Sequence, residues 1–206
     1  VIPGLDLIVI IIVCAPLTRG IATLADPVVN GTLLQIGEVL KRAADASPVV
    51  MGFILGGLIA VVAVCPLSSM ALTQLIGLTG VPMGIGALAV CGSTFNNYVI
   101  YERMKFGTRK DSFSMAIEPL TQADITAANP IPVYCTIFVG GALSGILAAL
   151  MQIHVETPGM ATAFAGIAVA FADNGPKALM VGVGCGIISA IVGFIGGHVF
   201  RNYPIK

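Results

Sequence analysis

Two amides, Asn96 and Asn97, stand side by side in a stretch, 46–101, that holds no Asp, Glu, Lys or Arg. Ser93 and Thr94 precede them by one helical turn. Each amide offers two donors and an acceptor, a set that suits a hydroxyl-bearing solute. The same amides also cap or join helices in a bilayer, and both readings fit. A second group follows: Glu118-Pro119-Leu120-Thr121-Gln122-Ala123-Asp124, then Asn129-Pro130-Ile131-Pro132. A residue before proline is biased to extended backbone, which turns the Glu118 side chain away from a helix, where its carboxylate can accept from vicinal hydroxyls. A solvated loop is the alternative for these residues. The third group is Thr157-Pro158-Gly159-Met160-Ala161-Thr162, whose backbone N–H groups would face an anion or hydroxyl if a half-helix starts there. An ordinary helix start fits it as well.

The substrate-binding candidates are therefore Glu118, Asn96, Asn97, Thr157, Asn129 and Gln122. They come from separate segments and converge only if the chain after Tyr101 folds back into a bundle. In that case Glu118 loses hydration that a hydrogen-bonding ligand must replace. His154-Val155-Glu156 supplies two ligating groups, too few for a metal, and reads as a membrane-boundary pair. The Gly84-x-Gly86 pair lacks the strand and acidic residue of a dinucleotide site. No metal or cofactor is expected, and no covalent chemistry is assigned to this chain.

The elements that must position these residues follow from composition. Of 206 residues 57% are hydrophobic and 10% charged, against roughly a quarter charged in soluble domains. The runs 46–101, 125–155 and 178–200 carry no Asp, Glu, Lys or Arg. Since about 20 apolar residues cross a bilayer, each holds a span. Zero net charge gives no electrostatic footprint for nucleic acid. The five cysteines lie in apolar stretches without C-x-x-C spacing and read as small core residues. The fold class is all-α integral membrane: a polytopic helical bundle of about 5–7 spans with lipid around it.

Along the chain, 5–23 reads as a span kinked at Pro16, and 27–44 as a second span or an interfacial helix. Spans are expected at 48–65, 81–101, 131–153 and 176–200, with 102–129 polar between them. Two short segments rich in small and hydroxyl residues, 66–80 and 157–174, read as broken or re-entrant, the best sequence pointer to a carrier's binding site. If each enters and leaves on one side, eight basic residues share the face of the 102–129 loop and Lys177 alone lies opposite, which makes that face cytoplasmic. The chain reads as one transmembrane domain, 1–206. It fits an internal repeat with halves 48–110 and 131–206: Phe53-Ile54-Leu55-Gly56-Gly57 matches Ile137-Phe138-Val139-Gly140-Gly141, and Cys91-Gly92 matches Cys185-Gly186.

Several runs resemble the membrane (EIIC) component of bacterial phosphotransferase systems, and within it a divergent EIIC-like branch. They are Met51-Gly52-Phe53-Ile54-Leu55-Gly56-Gly57, Pro66-Leu67-Ser68-Ser69 and Leu75-Ile76-Gly77-Leu78-Thr79-Gly80. Ser114-Met115, Asn129-Pro130-Ile131-Pro132 and Gly159-Met160-Ala161-Thr162 extend the likeness, which covers roughly 48–170. Ala116-Ile117-Glu118-Pro119 is similar to the Gly-Ile-Thr-Glu-Pro motif of sugar-binding members, with the Gly replaced and one residue missing; the resemblance implies a sugar-holding role for Glu118. It further implies a multi-pass carrier of the bacterial inner membrane for a sugar or polyol, a homo-oligomer served by separate EIIA- and EIIB-type phosphoryl donors. A phosphorylation-independent secondary transporter and a membrane solute sensor stay open beside it.

Overall fold

The computed structural model describes residues 13, 15–44, 46–65 and 67–205. The first part of the span expected over 5–23, together with Pro66 and Lys206, lies outside them. The chain divides into two units, 1–38 and 39–206. In the first, the described residues belong almost wholly to helix α1, Ala15–Ala44, which runs on into the second. The two elements expected at 5–23 and 27–44 are thus one helix over the described residues. Pro16 is the second residue of this stretch, so the kink expected there falls at the edge of the described residues. Pro27 is accommodated inside the helix.

In the second unit every named element among the described residues is helical, and an isolated bridge pairs Gly80 with Val155. Its elements are α2 (Pro48–Val64), α3 (Ser69–Leu75), α4 (Gly80–Met104), α5 (Arg109–Ile117), a 3-10 turn (Pro119–Gln122), α6 (Ala123–Ala128), α7 (Pro130–Leu150), α8 (Ala163–Asn174) and α9 (Pro176–Val199). Prolines open α2, α7 and α9, where the fixed φ suits a first turn. Among the described residues α7 and α9 are long and apolar enough to cross a membrane, and α2 is a shorter apolar helix. α4 is comparably long, about 37 Å at ~1.5 Å per residue, but carries Ser93, Thr94, Asn96 and Asn97 in its second half.

Glycines decide how these helices meet. On α2 and α7 the pairs Gly52/Gly56 and Gly141/Gly145 repeat at four-residue spacing, so both backbones approach closely. A Cβ added at Gly52 would lie 2.6 Å from the Gly145 carbonyl oxygen, and one at Gly56 would lie 2.7 Å from Gly145 Cα. Phe53 and Phe138 close this interface edge to face, 5.6 Å between centroids at 81°. Beyond it, Ala60, Val64, Ile100, Tyr101, Met104, Phe106, Met115, Val133 and Ile137 form a buried apolar cluster.

The order of contacts also gives directions. Residue numbers fall on α7 as they rise on α2 (52 with 145, 56 with 141), and likewise between α4 and α7 (84 with 153, 96 with 140). Both α2 and α4 therefore run antiparallel to α7 and in the same sense as each other. α9 runs with α4, as Gly92 meets Cys185 and Gly193 meets Asn96. The segment 151–175, after α7 and before α9, accordingly starts and ends at one end of the bundle. The segment 65–79 does not: it joins the far end of α2 to the near end of α4, contrary to the expectation that it enters and leaves on one side. The two expected repeat blocks also differ, since their flanking helices run in the same sense in the first and in opposite senses in the second. Neither α3, with 7 residues, nor α8, with 12, is long enough to cross a bilayer.

This path moves Lys41 and Arg42 to the end that carries Lys177. Arg103, Lys105, Arg109, Lys110 and Arg201 remain at the other, so the asymmetry among the described residues is five to three, with Lys206 of the expected eight outside them. The sign of the bias is unchanged, so the 102–129 end is still expected in the cytoplasm. Lys110, exposed at the start of α5, reports on this directly. A cysteine there should stay unlabelled by an impermeant maleimide in intact cells and label promptly in inverted vesicles; the opposite pattern would invert the topology.

Candidate functional site

The segment after Tyr101 does return to the bundle, and α4 is what holds it. Asn97 and Tyr101, one turn apart on α4, both reach it. Asn97 Nδ2 donates to the Met115 carbonyl at 3.4 Å, and the Tyr101 hydroxyl lies 2.8 Å from the Thr126 hydroxyl and donates to the Gln122 carbonyl at 3.4 Å. Both side chains are buried, so these bonds are shielded from water. At the other end of the returning segment, Asp111 accepts from the Thr108 N–H at 2.6 Å and from its hydroxyl at 2.8 Å, closing a capping box on α5. Those two donors hold the Asp111 carboxyl below its ordinary range. Stabilisation from this cap is present above the unfolded carboxylate value and is lost as pH falls through the lowered one.

Under the turn that follows α5 lies a cavity of about 110 Å3. At on the order of 10–15 Å3 per water it has room for several polar atoms. Its wall on α4 is Val90, Ser93, Thr94 and Asn97, and its rim is the turn 116–120 with Glu118. Its floor is formed by the starts of two helices, Ser68 and Ser69 at α3 and Ala161 to Ala163 at α8. Both starts are capped by hydroxyls: Ser68 Oγ accepts from the Ala71 N–H at 3.2 Å and Thr162 Oγ1 from the Gly166 N–H at 3.1 Å. Ser69 Oγ donates to the Ala161 carbonyl at 2.9 Å and ties the two starts together.

One polar atom in this wall has no partner. Asn97 Oδ1 belongs to a residue 1% exposed and accepts no hydrogen bond. An orphaned buried acceptor costs about 1–3 kcal/mol, so its retention calls for a reason. A solute hydroxyl donating to it is one.

The six residues expected to bind a solute are thus divided. Glu118 and Asn97 share the cavity. Glu118 is exposed at the rim, so it has not lost the hydration that a return into the bundle was expected to remove. Asn96, on the neighbouring face of α4, is fully buried between Gly140 and Gly193, and neither of its amide atoms has a partner. Beside it run bonds from Ser144 Oγ to the Cys185 carbonyl, 3.2 Å, and from Ser189 Oγ to the Gly140 carbonyl, 3.2 Å. Gln122 is buried beneath the returning segment, where its backbone carbonyl serves Tyr101. Asn129 is buried at the junction of α6 and α7, and its Nδ2 donates back to the Ile125 carbonyl of α6 at 3.1 Å. Thr157 is exposed on the 151–162 connection, and none of these last four lines the cavity. The half-helix expected to open at Thr157 opens instead at Ala163, capped by Thr162. Ser68 and Thr162 carry a different signal in the sequence: a hydroxyl residue directly before an apolar helical run marks an N-cap.

Against this geometry stands one comparison. The family model described as "Phosphotransferase system, EIIC" matches residues 2–205. No curated protein and no solved structure matches the chain.

Proposed function

The chain belongs to the phosphotransferase system EIIC family, the membrane component of sugar uptake, and on that premise we propose that the cavity under the 116–120 turn holds the transported solute. Members of this family carry sugars and work with EIIA and EIIB phosphoryl donors. The observation that carries the reading is Asn97: a buried amide with an unpartnered oxygen, on a residue of a lining that also holds Ser93, Thr94, Ser68 and Thr162. Such a lining offers neutral donors and acceptors and a single carboxylate, which matches a sugar or polyol. In this reading the chain performs no bond chemistry of its own. Asn97 and Ser93 orient the solute from α4, and the start of α8 supplies backbone N–H groups. Glu118 accepts from a hydroxyl at the rim, on the face where the phosphoryl donor docks. The segment 151–175 is re-entrant, and the protein spans the bacterial inner membrane several times as one transmembrane domain.

Calorimetry on the purified protein with a panel of hexoses and hexitols tests this. One of them should bind saturably. Glu118→Gln should weaken that binding by about three- to tenfold, less than the ~1.5–3 kcal/mol a fully buried charged bond contributes, because water already solvates the rim. A panel without binding, or a Glu118→Gln protein of unchanged affinity, removes the cavity or the rim from the site respectively.

A further inference from the structure

The last residue of α8 makes more hydrogen bonds than a helix end needs. Asn174 Oδ1 accepts from the His154 N–H at 3.1 Å, and Nδ2 donates to the His154 carbonyl at 2.6 Å and to the Ala170 carbonyl at 2.9 Å. Its neighbour Asp173 accepts from the Glu156 N–H at 3.1 Å. The strand-like strap 153–156 is therefore held along one edge by the foot of α8. Along its other edge, Val155 and Gly80 exchange two backbone hydrogen bonds, 2.8 and 3.0 Å. Ile153 lies with its backbone against Gly84, and Ile153 and Val155 are fully buried. The strap thus joins α8 to the first turn of α4.

Elsewhere α8 is held by side-on packing, Gly166 against Ala87 of α4 and Ile167 against Gly182 of α9, and at its head by the Ser69–Ala161 bond. Of its 12 residues only Gly166 and Ala170 are buried. It is a rod of about 18 Å at ~1.5 Å per residue, with one end in the Asn174 clamp and the other at the cavity floor. A rigid rod passes a displacement along its axis from foot to head, so the clamp and the contacts along α8 together set the position of 161–163. We infer that Asn174 is a positioning residue for the cavity, which with those contacts sets the depth at which α8 presents 161–163 to the solute. Only an amide makes all three bonds. A carboxylate keeps the bond from His154 N–H but loses both donations, and an apolar side chain loses all three.

The inference rests on the cavity being the solute site, yet its test needs no solute. The probe is N-ethylmaleimide on purified protein carrying Ala163→Cys, with modification at residue 163 followed by peptide mass spectrometry so that native cysteines do not interfere. Adding Asn174→Ala should change the labelling rate by about fivefold or more. Adding Glu156→Cys and Asp173→Cys to that protein supplies a covalent latch in place of the amide. Its oxidation should restore the original rate, and reduction followed by removal of reductant should abolish the restoration, a reversal that a folding defect would not show. Should Asn174→Ala not fold, Asn174→Asp carries the same comparison. An unchanged rate, or a verified disulfide that restores nothing, overturns the inference. If the rate shifts and recovers as expected while no sugar protects residue 163, the positioning holds and the solute reading fails.

Discussion

Gly56→Val should leave almost no folded protein. The added side chain would start from a Cβ 2.7 Å from Gly145 Cα and close to the Gly141 carbonyl, both backbone atoms of α7. Backbone cannot rotate aside as a side chain can, so α2 and α7 would have to separate. That separation undoes the facing pair at Gly52 and Gly145 as well, because the same four-residue spacing brings both into contact. Overpacking a core costs about 1–3 kcal/mol when side chains can yield, and more is expected where they cannot. Set against a typical total stability of ~5–15 kcal/mol, this is enough to lose the native state at ordinary temperatures. Gly184→Ala is the matched control, since its added Cβ meets only the tip of Leu147, at 3.0 Å. Thermal unfolding in detergent, read as loss of the monodisperse peak on size exclusion, should show a collapse for Gly56→Val and a small shift for Gly184→Ala. Equal melting of the two would mean that the α2–α7 contact does not organise the bundle.

Asn97→Leu should separate stability from binding. Leucine removes the long 3.4 Å bond to the Met115 carbonyl, a loss of at most about 1 kcal/mol. It also removes the orphaned Oδ1, whose burial costs a comparable amount in the solute-free protein. The melting temperature without solute should therefore stay close to that of the parent. Sugar affinity should fall by about tenfold or more, because the solute hydroxyl loses its acceptor and is left buried against an apolar wall, at ~1.4 kcal/mol per tenfold. Calorimetry and melting on the same preparation check both halves. A large fall in melting temperature with affinity intact would make Asn97 a structural amide that holds the returning segment.

The helical membrane class is legible because charge-free runs long enough to span leave few alternatives, and the close glycine pairs on α2 and α7 are visible as Gly-rich openings of two spans. The path of 65–79 is not legible. Whether a short broken segment returns or passes through depends on which helices α4 packs against, and that is set by Gly84, Gly92 and Gly140 meeting partners far away in sequence. Asn96 and Asn97 illustrate the same limit at the site. Adjacent residues on a helix point about 100° apart, so a pair read together divides between the α7–α9 interface and the cavity. Glu118 and Asn97 stand out because a carboxylate before proline and an amide in an apolar run are conspicuous. Thr162 does not stand out as a site residue because, as an N-cap, it matters through the backbone it holds.

The claim that the cavity is the solute site is tested most directly at Ser93. Its side chain is buried in the α4 wall, donating to the Val90 carbonyl at 2.8 Å, and it lies outside the clamps that hold the fold. A Ser93→Cys protein should react with N-ethylmaleimide through the mouth of the cavity. Whichever hexose or hexitol binds by calorimetry should slow that reaction in proportion to its occupancy, and should lose this effect when Asn97→Leu is added. If that sugar binds saturably while residue 93 reacts at the same rate with and without it, the solute sits elsewhere and the cavity is not its site.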